Sequence, residues 1–238
     1  MQVDKDQYGN TIGTKTQEVT IQYRGKSTTA TVMTYSITGS AWEYEVIDDN
    51  NIRIVGFRGS AATSHPSTIY IPETIGDYNV LEIKANAFKN NQKLKKVFLP
   101  STVKEIGSEA FYNDVNLSRI SSLENIEVIG ENAFKNTNLE DVEFGASLTS
   151  IGISAFENTK ITSVYIPKNV NSIGTGAFAG CNNIETIEVD NENNIYDSRN
   201  NSNAIIETSS NTVIKGNYNT TLTNDIEVIG EKAFYNDN

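Results

Sequence analysis

The amino-acid sequence predicts an α/β fold built as a solenoid, in which short repeats wind into a curved right-handed coil. Three observations lead to this prediction: a six-residue box recurs, its copies are almost evenly spaced, and apolar residues alternate between them. We expect the alternating segments to form a parallel β-sheet on one face and the boxes to form short helical or irregular turns on the other. A small β-rich cap is expected to cover the N-terminal end.

The box has the pattern Ile-x-x-x-Ala-Phe. Its six copies lie at 83–88, 106–111, 129–134, 151–156, 173–178 and 229–234. Successive phenylalanines are 23, 23, 22, 22 and 56 residues apart. The first four intervals fall within the roughly 20–29 residues that are typical of leucine-rich repeats. The sequence therefore predicts a leucine-rich-repeat solenoid.

Small and polar residues recur around each box. Glycine follows the box isoleucine in five of the six copies, and Lys84 takes its place in the first. Asparagine stands two residues after the box phenylalanine in five copies, and Gly180 takes its place in the fifth. Because Asn and Gly tolerate positive φ, this position is predicted to be left-handed or part of a tight turn. Cys181, one residue further on, is predicted to be a small buried side chain.

The ends and the long interval depart from the repeat. Residues 1–66 are predicted to form the cap, because alternating segments on either side of 24–26 and of 48–51 read as two β-hairpins. Residues 67–238 are predicted to form the solenoid, with a β-hairpin insertion at about 190–222. The polar opening and the stop at Asn238 lead us to expect a removed signal peptide and a C-terminus that is truncated within a repeat.

The composition limits the partners. A net charge of -11 argues against nucleic acid and anionic membrane surfaces, which need clustered Lys and Arg. The sequence contains no run of about 18 apolar residues, so membrane insertion is not predicted. With Cys181 as the single cysteine, an intrachain disulfide and a Cys-rich zinc site are excluded. No metal or cofactor is expected; a calcium site at Asp190, Glu192 and Asp197 is less favoured than a solvated loop, because the spacing is not that of an EF-hand.

Catalytic patterns are lacking. His65, the only histidine, precedes Pro66 in a Ser/Thr-rich loop, and the nucleophile elbow that would favour a Ser-His-Asp triad does not occur. Phosphate-binding, dinucleotide-binding and zinc-protease motifs are also absent from the sequence. We therefore expect a protein that is not an enzyme. A carbohydrate-active hydrolase that uses Asp141 and Glu143 as paired carboxylates is the least favoured alternative.

One repeat unit resembles a known family. The pattern Ile-Gly-x-x-Ala-Phe, a Cys or Asn, and then Leu-x-x-Val-x-Ile-Pro is clearest between Ile161 and Cys181. It resembles the BspA-like leucine-rich repeat family, from about Trp42 to the C-terminus. The resemblance implies an exported bacterial protein at the cell surface or secreted, and some members are implicated in adhesion to host extracellular-matrix proteins. The family often carries a hairpin after a Tyr-x-Ser segment, which is matched here by Tyr196 and Ser198.

The candidate ligand-binding surface is the outward side of the predicted strands, which we call the strand face. Its positions in repeats 1 to 6 are 68 and 70, 96 and 98, 119 and 121, 141 and 143, 163 and 165, and 186 and 188. Parallel strands lie about 4.8 Å apart, so this face extends over roughly 25 Å. The predicted ligand-binding residues are Tyr70, Lys96, Phe98, Arg119, Asp141, Glu143, Tyr165 and Glu188.

The expected function is protein binding. Three aromatic residues among twelve outward positions exceed what solubility needs, and aromatic residues are enriched at interfaces. We therefore expect an adhesin-like protein whose ligand is a host matrix protein or another surface protein. A structural stalk that presents another domain is the alternative from a different class.

Overall fold

A computed structural model describes the backbones of 12–23 and 26–37 and the whole of residues 42–57, 66–121 and 123–235. The sole histidine, His65, lies outside the described residues. The strands, in chain order, are β1 (Ile12–Tyr23), β2 (Lys26–Ile37), β3 (Trp42–Val46), β4 (Asn51–Phe57), β5 (Thr68–Tyr70), β6 (Thr74–Ile75), β7 (Tyr78–Ile83), β8 (Lys96–Phe98), β9 (Glu105–Ile106), β10 (Arg119–Ile120), β11 (Val128–Ile129), β12 (Ser150–Ile151), β13 (Ser163–Ile166), β14 (Ser172–Ile173), β15 (Thr186–Val189), β16 (Tyr196–Asp197), β17 (Ile205–Glu207), β18 (Thr212–Lys215) and β19 (Val228–Ile229).

Equivalent strands of successive repeats pair in parallel and form two columns. One column carries the strand face and contains β5, β8 and β10, then β13 with β15. The other runs through the box isoleucines and contains β4, β7, β9, β11, β12 and β14. Parallel stacking of the repeats is thus confirmed, while the curvature and handedness of the coil stay predictions.

The N-terminal residues form two antiparallel hairpins, as the alternation predicts. Strands β1 and β2 form the first, and β3 and β4 form the second. Strand β4 also pairs in parallel with β7, so the second hairpin continues the column of box strands. The rings of Trp42 and Phe57 stack with centroids 5.3 Å apart, and Phe57 lies 5.4 Å from Phe88 of the first box. The cap boundary at 66 stays a prediction.

Each box folds into consecutive β-turns, and the α part of the predicted α/β class is wrong. The Ala110 N–H donates to the carbonyl of Gly107 at 3.2 Å, and the Tyr112 N–H donates to that of Glu109 at 3.1 Å. A right-handed helix cannot pass through Glu109, whose φ is 57°. The equivalent residues with positive φ are Asn86, Asn132, Ser154, Gly176 and Lys232. In the described part of the chain, the one helix is a short 3₁₀ segment at Arg199–Asn201.

Alternate backbone groups of the first four boxes, and of the residues that follow them, are hydrogen-bonded to the next repeat instead. The N–H groups of Glu109, Phe111 and Asn113 each donate to carbonyls of the following box at 2.8 Å. Inside this ladder, the box phenylalanines form a continuous stack with centroids 5.3, 5.3, 5.2 and 5.6 Å apart. Their side chains are at most 3 % exposed from Phe88 to Phe178. The boxes therefore hold the repeats together by both backbone and ring contacts.

The recurrent glycine and asparagine have different structural causes. A Cβ added at Gly130 would lie 2.4 Å from the backbone nitrogen of Ser108, so the glycine is needed because adjacent repeats approach closely. The asparagine position has positive φ, with values of 60° at Asn113 and 67° at Gly180, which confirms the left-handed prediction. Some of these amides also bond to each other between repeats, as Asn113 Nδ2 does to Asn90 Oδ1 at 2.9 Å.

The long interval contains the predicted hairpin, formed by β17 and β18. Strand β16 pairs with β17, and β18 pairs in parallel with β19 of the last box. The buried Tyr196 hydroxyl accepts a 3.0 Å hydrogen bond from the backbone N–H of Ile173. The hairpin therefore joins the fifth box to the last one, and its predicted limits at 190–222 stay predictions.

A column of buried polar side chains runs beside the phenylalanine stack. Its members are Asn91, Asp114, Thr137, Thr159 and Cys181. Cys181 is 1 % exposed and its Sγ donates to the carbonyl of Phe156 at 3.0 Å, so the prediction of a small buried side chain is confirmed. Burial raises the pKa of Asp114 to about 8, against the opposing effect of the Asn91 N–H, which donates to Oδ1 at 2.5 Å. Among the described residues, no hydrogen bond reaches Asp114 Oδ2.

Candidate ligand-binding face

The strand face is formed by the alternation of each strand. Val97, Val164 and Ile187 point inward and are at most 2 % exposed. The exposed members of the predicted set are Tyr70, Lys96, Arg119, Glu143, Tyr165 and Glu188, and the half-buried members are Phe98 and Asp141. The side chains thus lie on the expected side, and their role in ligand binding stays a prediction.

The column of face strands is interrupted at repeat 4, so the expected strand at Asp141 and Glu143 is wrong. The only pairing there is an isolated bridge between Leu123 and Phe144 among the described residues. In repeat 2 the next inward apolar residue after Val97 is Leu99, two positions further on. In repeat 3 the residue equivalent to Val97 is Ile120, and the next apolar residue is the fully buried Leu123, three positions further on. This shift breaks the register with the next repeat. The face is consequently divided into a part with repeats 1–3 and a part with repeats 5 and 6.

Repeats 1 to 3 bring together two aromatic rings and basic side chains. Tyr70 stacks on Phe98, with centroids 4.7 Å apart and an interplanar angle of 7°. The strand register places Lys96 between Thr68 and Arg119, in the row next to the two rings. Apolar and cationic contacts are therefore available side by side on one small surface.

Lys93 and Lys95 also contribute to this basic surface, although alternation alone does not select them. Both are exposed, and the carbonyl of Lys95 accepts the N–H groups of Ser118 and Arg119 from the next repeat. The signal for them in the sequence is the run Lys93-Leu94-Lys95-Lys96. A basic run at the start of one strand, followed one repeat later by Arg119, indicates a local positive patch in an acidic chain.

Repeats 5 and 6 form an aromatic and acidic surface. The Tyr165 hydroxyl donates to Asp190 Oδ2 at 2.7 Å. This hydrogen bond is the main cause that raises the pKa of Tyr165 to about 12. The pKa of Asp190 is lowered, first by the backbone N–H of Glu192 and then by Tyr165. Tyr165 lies beside an open hollow of about 410 Å³, whose other walls include Phe144, Pro167 and Lys168.

The described residues offer little for metal chemistry. No group of three or more His, Cys, Asp or Glu side chains in this part of the chain could hold a metal ion. At the sequence candidates for calcium, Glu192 pairs with Lys168 at 3.0 Å and Asp197 pairs with Arg199 at 3.0 Å. Within the same residues, no helix has both the length and the apolar character to cross a bilayer.

The stacked parallel strands, the box turns and the phenylalanine column define a leucine-rich repeat protein. A family model for the BspA type leucine rich repeat region matches residues 81–207 in six copies, which is more than half of the chain. The chain belongs to this family, as the resemblance in the sequence predicts. Leucine-rich repeats generally act as protein-interaction modules, because their stacked units create extended binding surfaces.

Solved structures support the same fold. A leucine-rich repeat protein from Bacteroides ovatus is 30% identical, with a TM-score of 0.56 over 62% of this chain and 39% of that chain. The Treponema pallidum leucine-rich repeat protein is 28% identical, with the same TM-score over 62% of this chain and 68% of that chain. The pneumococcal vaccine antigen PcpA, at 19% identity, a TM-score of 0.53 and coverage of 73% and 53%, supports the fold alone. No curated protein matches significantly.

Proposed function

We propose that this chain is the repeat region of a non-catalytic, adhesin-like bacterial protein, exposed on the cell surface or secreted, that binds another protein through the strand face. Host extracellular-matrix proteins are the first candidates, because members of the BspA-like family are implicated in such adhesion. We further propose that the repeats form the curved right-handed solenoid predicted above, because such coils present an extended surface to a partner.

The observation that carries the proposal is the exposure of aromatic rings on an otherwise polar face. Tyr70 is 39 % exposed and Tyr165 is 47 % exposed, while Phe98 is half-buried against Tyr70. Their equivalents in the neighbouring repeats are Ser121, Glu143 and Glu188, so the fold does not require rings at these positions. Tyrosine, phenylalanine and arginine are enriched in the centres of protein interfaces.

A hydrolase is less well supported by the geometry. The open hollow beside Tyr165 contains two carboxylates, but Asp190 accepts the hydroxyl of Tyr165 and Glu192 is paired with Lys168. The pKa of Asp190 is lowered, whereas a general acid at neutral pH requires a raised pKa. The exposed rings therefore support recognition rather than acid–base chemistry.

The test is a binding panel of purified matrix proteins, with glycans as a parallel set. The triple variant Tyr70→Ala, Phe98→Ala, Tyr165→Ala is compared with the wild type and with Tyr44→Ala, Tyr218→Ala, Tyr235→Ala as a matched control. The control removes three exposed rings that lie away from the strand face. We expect the first variant alone to lose at least about tenfold in affinity for a protein ligand. Equal binding by both variants and the wild type would refute the use of the strand face.

A further inference from the structure

Charges of opposite sign are segregated along the strand face. Repeats 2 and 3 contribute Lys96 and Arg119 on the face and Lys93 and Lys95 beside it, and the segments 93–98 and 117–121 contain no acidic residue. Repeats 4 and 6 contribute Glu140, Asp141, Glu143, Glu185 and Glu188, and repeat 5 between them contributes Lys160 at the position equivalent to Lys93. This surface therefore changes from positive to mainly negative along the direction in which the repeats stack, and the whole chain has a net charge of -11.

Elsewhere on the molecule, opposite charges of adjacent repeats pair with each other. Such pairs are Lys89 with Glu109, Lys104 with Glu127, Lys135 with Glu157 and Lys168 with Glu192. By contrast, Lys96, Glu143 and Glu188 on the strand face and Lys95 beside it form no salt bridge with any residue that the structure describes, whereas Arg119 and Asp141 of the same face do have interaction partners. The stacking geometry allows salt bridges between neighbouring repeats, but Lys95, Lys96, Glu143 and Glu188 form none with the described residues.

The outer ends of the two charged regions are far enough apart to act separately, although Arg119 and Asp141 belong to adjacent repeats. Strand pairing places Lys96 next to Arg119, so the positive charges are concentrated. From Lys96 in repeat 2 to Glu188 in repeat 6 there are four steps between repeats, or about 19 Å at the spacing of the paired strands in the continuous column of box strands. The Debye length is about 8 Å at physiological ionic strength, so these two ends present separate potentials to a partner.

We infer that the partner of the strand face is an extended protein segment with acidic residues opposite repeats 2 and 3 and basic residues opposite repeats 4 and 6. This inference rests on the proposed function and adds the sign and the direction of the bound segment. Because like charges are repelled from each half, the segment binds in one orientation only. Apolar side chains of the segment contact Tyr70 at the basic end and Tyr165 at the acidic end.

The charge pattern of this surface favours a protein over a glycan. A peptide that carries both charges matches the two-signed surface, while an acidic glycan matches only its basic half.

The experiment selects 12-residue peptides from a random displayed library on the immobilised protein. Selection is repeated on a basic-end variant (Lys95→Glu, Lys96→Glu), an acidic-end variant (Glu143→Lys, Glu188→Lys) and the combination of all four changes. All of these residues are exposed, and circular dichroism checks that each variant keeps the fold. The exchange Lys104→Glu with Glu127→Lys is the matched control, because it alters a paired site away from the face.

We expect wild-type peptides to contain separate acidic and basic blocks in one fixed order. Each two-residue reversal weakens their binding at least about tenfold at low salt, and the four-residue variant selects peptides with the opposite order. If the peptides require Tyr70 and Tyr165 for binding but bind all charge-reversal variants with unchanged affinity, this inference is wrong and the proposed function stands. Peptides that bind the aromatic triple variant as tightly as the wild type contradict the proposed function itself. Failure to retain any peptide, or retention of acidic glycans alone, overturns the inference.

Discussion

Phe111 and Phe134, equivalent residues of adjacent boxes, stack with ring centroids 5.3 Å apart and an interplanar angle of 3°. Both side chains are 0 % exposed, and the same contact continues to Phe88 on one side and to Phe156 on the other. One ring therefore stabilises two interfaces between repeats at once. In a linear array, stability depends on such contacts between nearest neighbours.

Removal of a ring from the middle of this stack is expected to destabilise the fold strongly. Phe134→Ala leaves a cavity between two buried rings and should lower the free energy of unfolding by about 3–5 kcal/mol. Phe134→Leu fills most of the space and should cost less. Urea denaturation followed by circular dichroism measures both changes. Phe234→Ala is the control, because Phe234 is the box phenylalanine of the last copy and is 36 % exposed; an equal loss there would contradict the role of the stack.

The glycine after the box isoleucine should not tolerate a methyl group. In Gly130→Ala the new Cβ would lie 2.4 Å from the nitrogen of Ser108 and 2.7 Å from the carbonyl carbon of Gly107. Because both are backbone atoms, the two repeats must move apart, and we expect a loss of about 2 kcal/mol or more. Thermal unfolding of this variant is compared with that of Ser108→Ala, an exposed change in the neighbouring turn. A melting temperature within 1–2 °C of that control, about the effect of a neutral surface change, would show that the close approach is absent.

The left-handed conformation of the asparagine position can be tested by substitution with glycine, which the chain itself has at this position in one copy. Asn113 has φ 60°, and Gly180 occupies the same position in the fifth copy. Asn113→Ala should destabilise the fold by about 1–2 kcal/mol, because alanine is strained at positive φ. Asn113→Gly should lose less, because it removes only the amide bond to Asn90. In chemical denaturation the free energy of unfolding should therefore decrease from the wild type to the Gly variant to the Ala variant. A higher value for the Ala variant than for the Gly variant would exclude backbone strain as the cause.

The buried carboxyl of Asp114 should make stability depend on pH. Its pKa is raised from 3.8 to about 8 in the folded chain, mainly by burial, so the folded state keeps a proton that the unfolded state releases. Its contribution to stability is thus fully present below about pH 4 and is lost as the pH rises towards 8. Asp114→Asn, which copies Asn91 of the preceding repeat, should unfold with a higher free energy at pH 8, by an amount on the order of 2–5 kcal/mol.

Urea denaturation of wild type and Asp114→Asn at pH 5 and pH 8 checks this expectation. The advantage of the variant should be larger at pH 8, because the wild-type carboxyl then approaches ionisation inside the fold. The two proteins share all other titratable groups, so the contributions of those groups cancel in the difference between the two free energies of unfolding. A constant difference at the two pH values would mean that the side chain reaches solvent or a hydrogen-bond donor.

Much of the candidate site follows from local sequence patterns. Alternation places Tyr70, Lys96 and Tyr165 outward, because side chains of a strand point to opposite faces. The pattern does not reveal the break at repeat 4, since Leu123 is displaced by one residue and only pairing with a neighbour shows the lost register. It likewise does not reveal that Asp190 accepts the Tyr165 hydroxyl, because 25 residues separate them and the loop conformation decides the contact.

By itself, the sequence determined the repeating unit, the buried apolar positions, the left-handed asparagines and the family, because each depends on a period or a conformational preference of single residues. The tertiary structure alone decided that the boxes form turns that bond to the next repeat, since a helix and a chain of turns both bring Ile, Ala and Phe to one side. It also decided the charge pattern of the strand face. Lys96 and Arg119 lie 23 residues apart in the chain, and only the parallel register of successive repeats makes them neighbours.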